Sequence, residues 1–303
     1  GKMHACGHDG HMAMLLSFSE YIDTVKELDH NVLLIFQPAE ETLGGAEEIC
    51  KSGIFTKYNV SQVFGIHLWP FLPKGVISSR PGAFMPKSAE INVDINGKAA
   101  HGTAPYEGLD ALYITADYVK RTYADHANMF GAIHRFRDGV GDLTYAPCDI
   151  PEERTLIHFG KMESGYARNI VSDYSHLLGT VRAYDEDHFQ KIIGILTKNL
   201  EEIEKEYHCT TGFSHSDGYP PVINDKVLYD EIRPVLESLK GGYAEMHLPL
   251  MISEDFSFYG QYAPAVFFVL GTGTGIPLHS TSFDFEEDLL LSGFALYKAL
   301  LTR

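Results

Sequence analysis

Residues 4–11 read His-Ala-Cys-Gly-His-Asp-Gly-His and concentrate thiol, imidazole and carboxylate groups, the side chains that bind transition metals in proteins. Cys6 and His8 are two positions apart, so in an extended segment their side chains point the same way and can converge on one cation. Gly7 between them lets the backbone pass close to that cation. A Cys-x-His pair alone is more often a buried thiol beside a surface histidine, because two ligands do not make a site. A metal site therefore needs ligands from other segments.

Four further side chains of metal-binding type follow apolar runs that we predict to be strands. They are Glu40 and Glu41 after residues 32–36, His67 after residues 63–66, and His279 after residues 265–270. Open α/β sheets bind ligands at the carboxyl ends of their strands. Taken singly, the glutamate pair is typical of a solvated loop and each histidine of a hydrogen-bonded structural residue. Their joint occurrence favours one site, in which one glutamate binds metal and the other acts as general base on a bound water.

The pattern of apolar residues indicates how the chain is organised. The three runs above are typical of strands buried on both faces, as in parallel sheets covered by helices. Beyond Pro86 the strand and helix patterns follow the order β-α-β-β-α-β, which is that of a ferredoxin-like module. We therefore predict an α/β chain with a mixed-sheet domain covered by helices, residues 1–86 and 218–303. An inserted ferredoxin-like α+β domain, residues 87–217, interrupts it.

Charge and cysteine content restrict the partners. The 303 residues include 24 basic and 41 acidic side chains, and the formal net charge of −17 repels nucleic acids and anionic membranes. No run approaches the roughly 18 apolar residues of a membrane span. The four cysteines are spread widely, unlike those of small disulfide-rich domains. We expect reduced thiols, a cytoplasmic location, and neither nucleic acid nor membrane as a partner.

Five segments carry a resemblance to known proteins, and they are Met3–Ala13, Gln37–Glu41, Gly65–His67, Ser253–Phe256 and Leu278–Ser280. Together they resemble the amidohydrolase branch of the aminoacylase and carboxypeptidase-type metallopeptidases. This branch includes hippurate hydrolase, N-acetyldiaminopimelate deacetylase and the plant auxin-conjugate hydrolases. The likeness covers essentially the whole chain in matching order. Family members usually carry a further half-domain before the first segment, so we expect part of the catalytic domain to be missing from this sequence.

The resemblance implies a site for two divalent metal ions. Its ligands would be Cys6, His8, Glu41, His67 and His279, with Cys6 bridging the two ions. Glu40 would be the general base, which takes a proton from metal-bound water and later gives it to the leaving amine. The resemblance favours Mn²⁺ as the metal, whereas a ligand set rich in thiolate and imidazole also suits Zn²⁺.

The resemblance also identifies the inserted domain as a lid and dimerisation domain. His101 would stabilise the oxyanion, usually by reaching across a homodimer. Asn169 and Arg182 match segments that hold the substrate, and an arginine is a natural bidentate clamp for a carboxylate. From the residues alone, His101 is better explained as a turn residue after a strand, and Arg182 is equally well explained as a surface strand residue.

The function that the resemblance implies is hydrolysis of the amide bond of N-acyl-L-amino acids, of N-acetyl or N-benzoyl type, as small-molecule substrates. A dipeptidase or carboxypeptidase of the same superfamily is the nearest alternative, since it differs only in the acyl group. A catalytically silent homologue that binds amino-acid conjugates is a second alternative. The complete set of five ligands with Glu40 argues against a silent protein, which need not keep all six.

Overall fold

A computed structural model describes residues 2–42, 44–130 and 153–303. Within these ranges the helices are α1 (His8–Thr24), α2 (Gly45–Lys51), α3 (Ile54–Lys57), α4 (Ala111–Phe130), α5 (Glu186–Tyr207), α6 (Lys226–Glu237) and α7 (Leu290–Leu301). The strands are β1 (Val63–Trp69), β2 (Ile77–Ser79), β3 (Gly82–Met85), β4 (Lys87–Asn96), β5 (Thr155–Ser164), β6 (Tyr174–Ala183), β7 (Thr210–His215), β8 (Val222–Asn224), β9 (Tyr243–Glu245) and β10 (Ala265–Gly271). Short 3₁₀-helices span Pro105–Glu107, Asp255–Gln261 and Glu287–Leu289.

The first of two compact units comprises Gly1–Phe84, Val222–Leu250 and Glu254–Arg303. Its main sheet has the strand order β1-β10-β2-β9 and is mixed, because β1 and β10 are parallel whereas β10 and β2 are antiparallel. Every residue of β10 is buried, as its apolar sequence predicts. Side chains of α1, α6 and α7 pack against this sheet in one apolar core. The predicted mixed sheet covered by helices is confirmed.

The second unit comprises Met85–Pro221 and Met251–Ser253. Its antiparallel sheet has the order β5-β6-β4-β7, and the elements follow the chain as β4-α4-β5-β6-α5-β7. This is the predicted β-α-β-β-α-β order. Alternate residues of β4 are buried in a core that they share with α4 and α5. Asp185 caps α5, because its side chain accepts a hydrogen bond from the backbone N–H of His188.

The predicted buried strand at residues 32–36 is wrong. The segment lies outside any strand, and its end residues Val32 and Phe36 are 36% and 47% exposed. An extended segment becomes a strand only when a neighbour supplies ladder hydrogen bonds, and no strand of the described residues pairs with this one. Glu40 and Glu41 are consequently carried by a turn.

Among the helices in the described ranges, none combines the length and hydropathy that crossing a bilayer requires. Cys6, Cys50 and Cys209 are free thiols. Cys148 lies outside the described residues.

Candidate metal centre

Cys6 and His8 are brought together by a turn and a helix start, and the predicted extended segment is wrong. Cys6 lies in a turn, and His8 is the first residue of α1. Gly7 caps the helix in the left-handed conformation, with φ 79° and ψ 16°. This conformation reverses the chain between the two residues at little cost, because glycine has no Cβ. The donor atoms of Cys6 and His8 still lie within 4.8 Å of each other.

We expect Gly7→Ala to lower the free energy of unfolding by more than the roughly 1–2 kcal/mol that the left-handed conformation costs an L residue. A Cβ at this position would lie 2.8 Å from Cδ1 of the fully buried Leu68, so one of the two must shift. Gly53→Ala is the matched control, because Gly53 has the same φ of 79° with nothing within 4 Å of the added Cβ. Urea denaturation of both variants measures the difference, and equal losses would contradict a tight fit at Gly7.

His67 is the most firmly held of the candidate ligands. It lies within β1, rather than after the strand as predicted, and is 7% exposed. Its Nδ1 is 2.7 Å from the carbonyl oxygen of Leu68. A carbonyl only accepts, so Nδ1 carries the proton and donates it, and Nε2 keeps its lone pair. Nε2 lies 3.4 Å from Cys6 Sγ. Burial lowers the pKa of His67 to about 4, which favours the neutral form that binds metal.

Glu40 and Glu41 approach His8 from the turn that follows Ala39. His8 Nε2 lies 3.9 Å from Glu40 Oε2 and 3.7 Å from Glu41 Oε1. Burial raises the pKa of Glu40 to about 7, and the negative charges of Glu41 and Asp255 act in the same direction. Ala39 adopts a φ of 63°, which L residues rarely do, so the turn is imposed by its surroundings.

His279 reaches the same cluster from the loop after β10. Its backbone N–H donates to the carbonyl oxygen of Ala5 at 2.8 Å, which joins this loop to the Cys6 turn. Its Nε2 lies 3.1 Å from Glu41 Oε1. Like Ala39, His279 has a positive φ, of 66°. Non-glycine residues in this conformation cluster at functional sites, and here two of the four in the described residues flank or form the cluster.

The donor atoms of these side chains form groups that fit divalent cations. The groups with all donor atoms within 4.8 Å of one another are Cys6 with His8 and His67, Cys6 with Glu41 and His279, His8 with Glu40 and Glu41, and Glu40 with Glu254 and Asp255. Cys6 belongs to the first two groups, as a ligand shared between two cations would. All five predicted ligands and Glu40 therefore lie in one cluster.

The electrostatics of the cluster are those of a site that a cation would stabilise. Burial raises the pKa of the Cys6 thiol, and the hydrogen bond and charge of Glu41 raise it further. Burial, together with Glu40 and Asp255, raises the pKa of Glu254 well above its usual value. Several acidic groups, among them Glu40, Glu41 and Glu254, thus lie close together and need positive charge to offset their own. Divalent cations would supply that charge.

His11 is a neighbour of the cluster that the sequence analysis did not assign a role. Its ring lies 4.4 Å from the ring of His67, measured between centroids. The backbone N–H of Leu68 donates to His11 Nε2 at 2.9 Å, so this nitrogen is occupied within the protein. Burial lowers the pKa of His11 well below its usual value, and the nearby His67 and His8 contribute. His11 follows His8 by three residues on α1, and this spacing was the signal for a shared face.

The three other predicted site residues lie in the second unit. His101 is exposed, and its Nδ1 lies 2.8 Å from Thr103 Oγ1 and accepts from the Thr103 N–H at 3.3 Å, which leaves the proton on Nε2. Asn169 is close to His101, because its carbonyl oxygen accepts from the Gly102 N–H at 2.7 Å. Arg182 lies on β6.

The guanidinium of Arg182 has a polar partner but no acidic one. Its Nη1 donates to Ser253 Oγ at 3.1 Å. Within the described part of the chain, no carboxylate forms an ion pair with it, and burial lowers the pKa of Arg182. A half-buried guanidinium without a counter-charge is suited to bind an anion.

The chain is similar to proteins of a known family. The family profile "Peptidase family M20/M25/M40" matches residues 1–303. An uncharacterized hydrolase of Staphylococcus epidermidis is 32% identical over an alignment of 315 residues, which covers 99% of this chain and 76% of the relative. A Bacillus subtilis protein described as a dinuclear metal binding peptidase from the M20 family has a similar structure, with a TM-score of 0.76, 23% identity, and coverage of 99% of this chain and 72% of that one. An aminobenzoyl-glutamate utilization protein from Klebsiella pneumoniae follows with a TM-score of 0.60, 19% identity, and coverage of 95% and 67%.

Proposed function

We propose that this chain, which belongs to peptidase family M20/M25/M40 and is a hydrolase, cleaves the amide bond of N-acyl-L-amino acids. The observation that carries the proposal is the arrangement of donor atoms in the first unit. Two groups of three ligand atoms share Cys6 Sγ, and the carboxylate of Glu40 lies 3.9 Å from the His8 ligand atom. A metal pair with an adjacent carboxylate is the apparatus of metal-assisted amide hydrolysis.

In this proposal, Cys6, His8, Glu41, His67 and His279 would hold two divalent cations. Bound there, the cations would lower the pKa of a water molecule and polarise the scissile carbonyl. We propose Mn²⁺ as the native metal, following the resemblance of the motifs, with Zn²⁺ as the alternative that thiolate and imidazole ligands suit. The Bacillus subtilis neighbour, described as dinuclear, supports two ions per chain.

Glu40 acts as the general base. Of the two adjacent glutamates, its side chain is the less exposed, at 20% against 43% for Glu41. Glu41 contacts both His8 and His279, as a metal ligand among other ligands would. In this role Glu40 takes a proton from the attacking water at Oε2 and returns it to the leaving nitrogen.

The second unit supplies the groups that recognise the substrate. His101 donates a hydrogen bond from Nε2 to the developing oxyanion, and Asn169 holds the substrate nearby. Arg182 binds the carboxylate of the amino acid, which supplies the negative charge that this guanidinium lacks. The Klebsiella neighbour, whose name specifies an aminobenzoyl-glutamate, supports an N-acyl amino acid as the substrate class. The proposed enzyme is a cytoplasmic homodimer that associates through this unit.

We expect the protein to release free amino acid from N-acetyl- or N-benzoyl-L-amino acids when Mn²⁺ is supplied, and to lose this activity in a chelator. The panel includes the same compounds with the α-carboxylate converted to an amide, which we expect to bind weakly because Arg182 would have no anion to pair with. Unblocked dipeptides and C-terminal peptides test the peptidase alternative. Release from dipeptides alone would replace the proposed substrate class, and no release with Mn²⁺, Co²⁺ or Zn²⁺ would favour a silent homologue.

A further inference from the structure

A single buried carboxylate contacts both ends of the segment that carries Glu40 and Glu41. Asp255 is 0% exposed. The side-chain nitrogen of Gln37 donates to its Oδ1 at 2.8 Å and to its Oδ2 at 2.7 Å. The backbone N–H of Ala46 donates to Oδ2 at 3.1 Å. The two donors flank the glutamate pair in sequence, so one side chain fixes the positions at which the segment begins and ends.

The partner on the first side is itself held by a second hydrogen bond. Tyr259, which is 5% exposed, donates from its hydroxyl to Gln37 Oε1 at 2.7 Å. This bond fixes which way the Gln37 amide points, with its oxygen toward Tyr259 and its nitrogen toward Asp255. Both ends of the amide are therefore paired in a buried network, and such networks are rigid when every member has its partner.

The turn between these anchor points closes on one carbonyl oxygen, that of Ala39. The N–H groups of Thr42 and Gly44 donate to the carbonyl oxygen of Ala39 at 3.3 and 3.0 Å. Ala39 is in the left-handed region, which an L residue occupies only when the surrounding structure requires it. The segment is outside any strand. Its conformation must be imposed from outside, and the Asp255 network is a contact that can impose it.

We propose that Asp255 is a positioning residue, which places Glu40 and Glu41 by holding Gln37 on one side of them and Ala46 on the other. The inference rests on the proposed function, in which Glu40 is the general base and Glu41 binds metal. Asp255 touches neither substrate nor metal in this account and acts through the segment that it anchors. A displacement of about 1 Å in a catalytic group is enough to reduce turnover roughly 100-fold.

The test is Asp255→Asn in the full chain. An asparagine has the same shape, but its amide nitrogen faces a donor, either Gln37 Nε2 or the Ala46 N–H, and cannot accept. We expect kcat to fall by roughly 10–100-fold and the affinity for Mn²⁺, measured by calorimetry, to fall by a similar factor. KM should change little, because the substrate-binding groups lie elsewhere in the chain.

A double variant restores the network with the charge exchanged. In Gln37→Glu with Asp255→Asn, the new carboxylate accepts from the asparagine amide and from Tyr259, and the asparagine oxygen accepts from the Ala46 N–H. We expect this variant to recover most of the lost kcat and Mn²⁺ affinity. If Asp255 only stabilised the fold, the folded double variant would not recover kcat or Mn²⁺ affinity.

Ser79→Ala is the matched structural control, because it deletes other buried hydrogen bonds of the same unit. Ser79 Oγ donates to the Phe267 carbonyl oxygen at 2.6 Å and accepts from Asn224 Nδ2 at 3.0 Å. Ser79→Ala should lower Tm and leave kcat and Mn²⁺ affinity unchanged. Wild-type kcat and Mn²⁺ affinity in Asp255→Asn would overturn the positioning role. A folded double variant without recovery would overturn it as well.

If Asp255→Asn does not fold, Tyr259→Phe removes only the outer hydrogen bond and should lower kcat and Mn²⁺ affinity by a smaller factor; no change in either would overturn the proposal. If the wild-type protein releases no amino acid from any substrate, the proposed function fails. The Mn²⁺ affinities of Asp255→Asn and the double variant then decide the positioning role by themselves.

Discussion

Replacing Glu40 with glutamine is expected to lower kcat by about 10²–10⁴-fold, which is the range that a general base contributes, while two metal ions stay bound. The amide of glutamine has nearly the shape of the carboxylate but cannot take a proton from water at neutral pH. Glu40 belongs to the acidic part of the cluster without being one of the five proposed ligands. Steady-state kinetics and metal analysis of the same preparation measure the two expectations together.

The control for Glu40→Gln is Glu47→Gln on α2, which changes a glutamate that forms a surface ion pair with Lys51 at 2.9 Å. An exposed pair of this kind contributes little to stability, so wild-type activity is expected. Full activity in Glu40→Gln would contradict the assignment of Glu40 as the general base. Loss of metal together with activity would instead make Glu40 a ligand.

Replacing Cys6 with alanine is expected to have the second large effect, which is loss of metal. Cys6 Sγ belongs to both ligand groups, so each cation would lose one of its ligands. We expect metal content to fall from two ions to one or fewer per chain. Activity should fall by more than the roughly 10–100-fold that removal of an outer hydrogen-bond partner of a metal ligand costs.

Cys209→Ala is the matched control for the thiol, because Cys209 is buried in the core of the second unit, with its thiol directed at the Ile203 carbonyl oxygen. It should lose a little stability and keep both metal ions. If Cys6→Ala retained two ions and wild-type turnover, the shared-thiolate centre would be excluded, whatever the substrate.

The parts of the fold that were predictable from sequence are those where pattern and burial coincide. β10 is a continuous apolar run and is buried along its whole length, and the alternation along β4 matches its buried face. Residues 32–36 have the same apolar pattern as β10 yet form no strand. Hydrophobicity describes what a strand would bury, whereas a ladder requires a neighbouring strand, and this information is not in the segment itself.

In the candidate site, the residue types could be predicted from sequence but their geometry could not. Ligand-type side chains could be found from their chemistry and their places after apolar runs. Their convergence depends on the left-handed conformations of Gly7, Ala39 and His279. These conformations cannot be read from the local sequence around each residue. Cys6 and His8 do lie close together, as predicted, but a turn and a helix start bring them together in place of the predicted extended segment.

Supporting residues were the hardest to predict, because their partners are distant in sequence. Asp255 contacts Gln37 across a separation of 218 residues, and His11 contacts Leu68 across 57. From sequence, the segment Ser253–Phe256 contributed only to the family resemblance. Glu254 caps the 3₁₀-helix Asp255–Gln261, since its side chain accepts from the Phe256 N–H. The role of Asp255 became visible only when the contacts were known.

The most direct test of the metal centre is anomalous diffraction from crystals of the wild-type protein grown with Mn²⁺. We predict two anomalous peaks about 3.5–4 Å apart, the separation of catalytic metal pairs, both in bonding contact with Cys6 Sγ. One peak should lie beside His8 and His67, and the other beside Glu41 and His279. A single peak, or two peaks that do not share Cys6, would contradict the account.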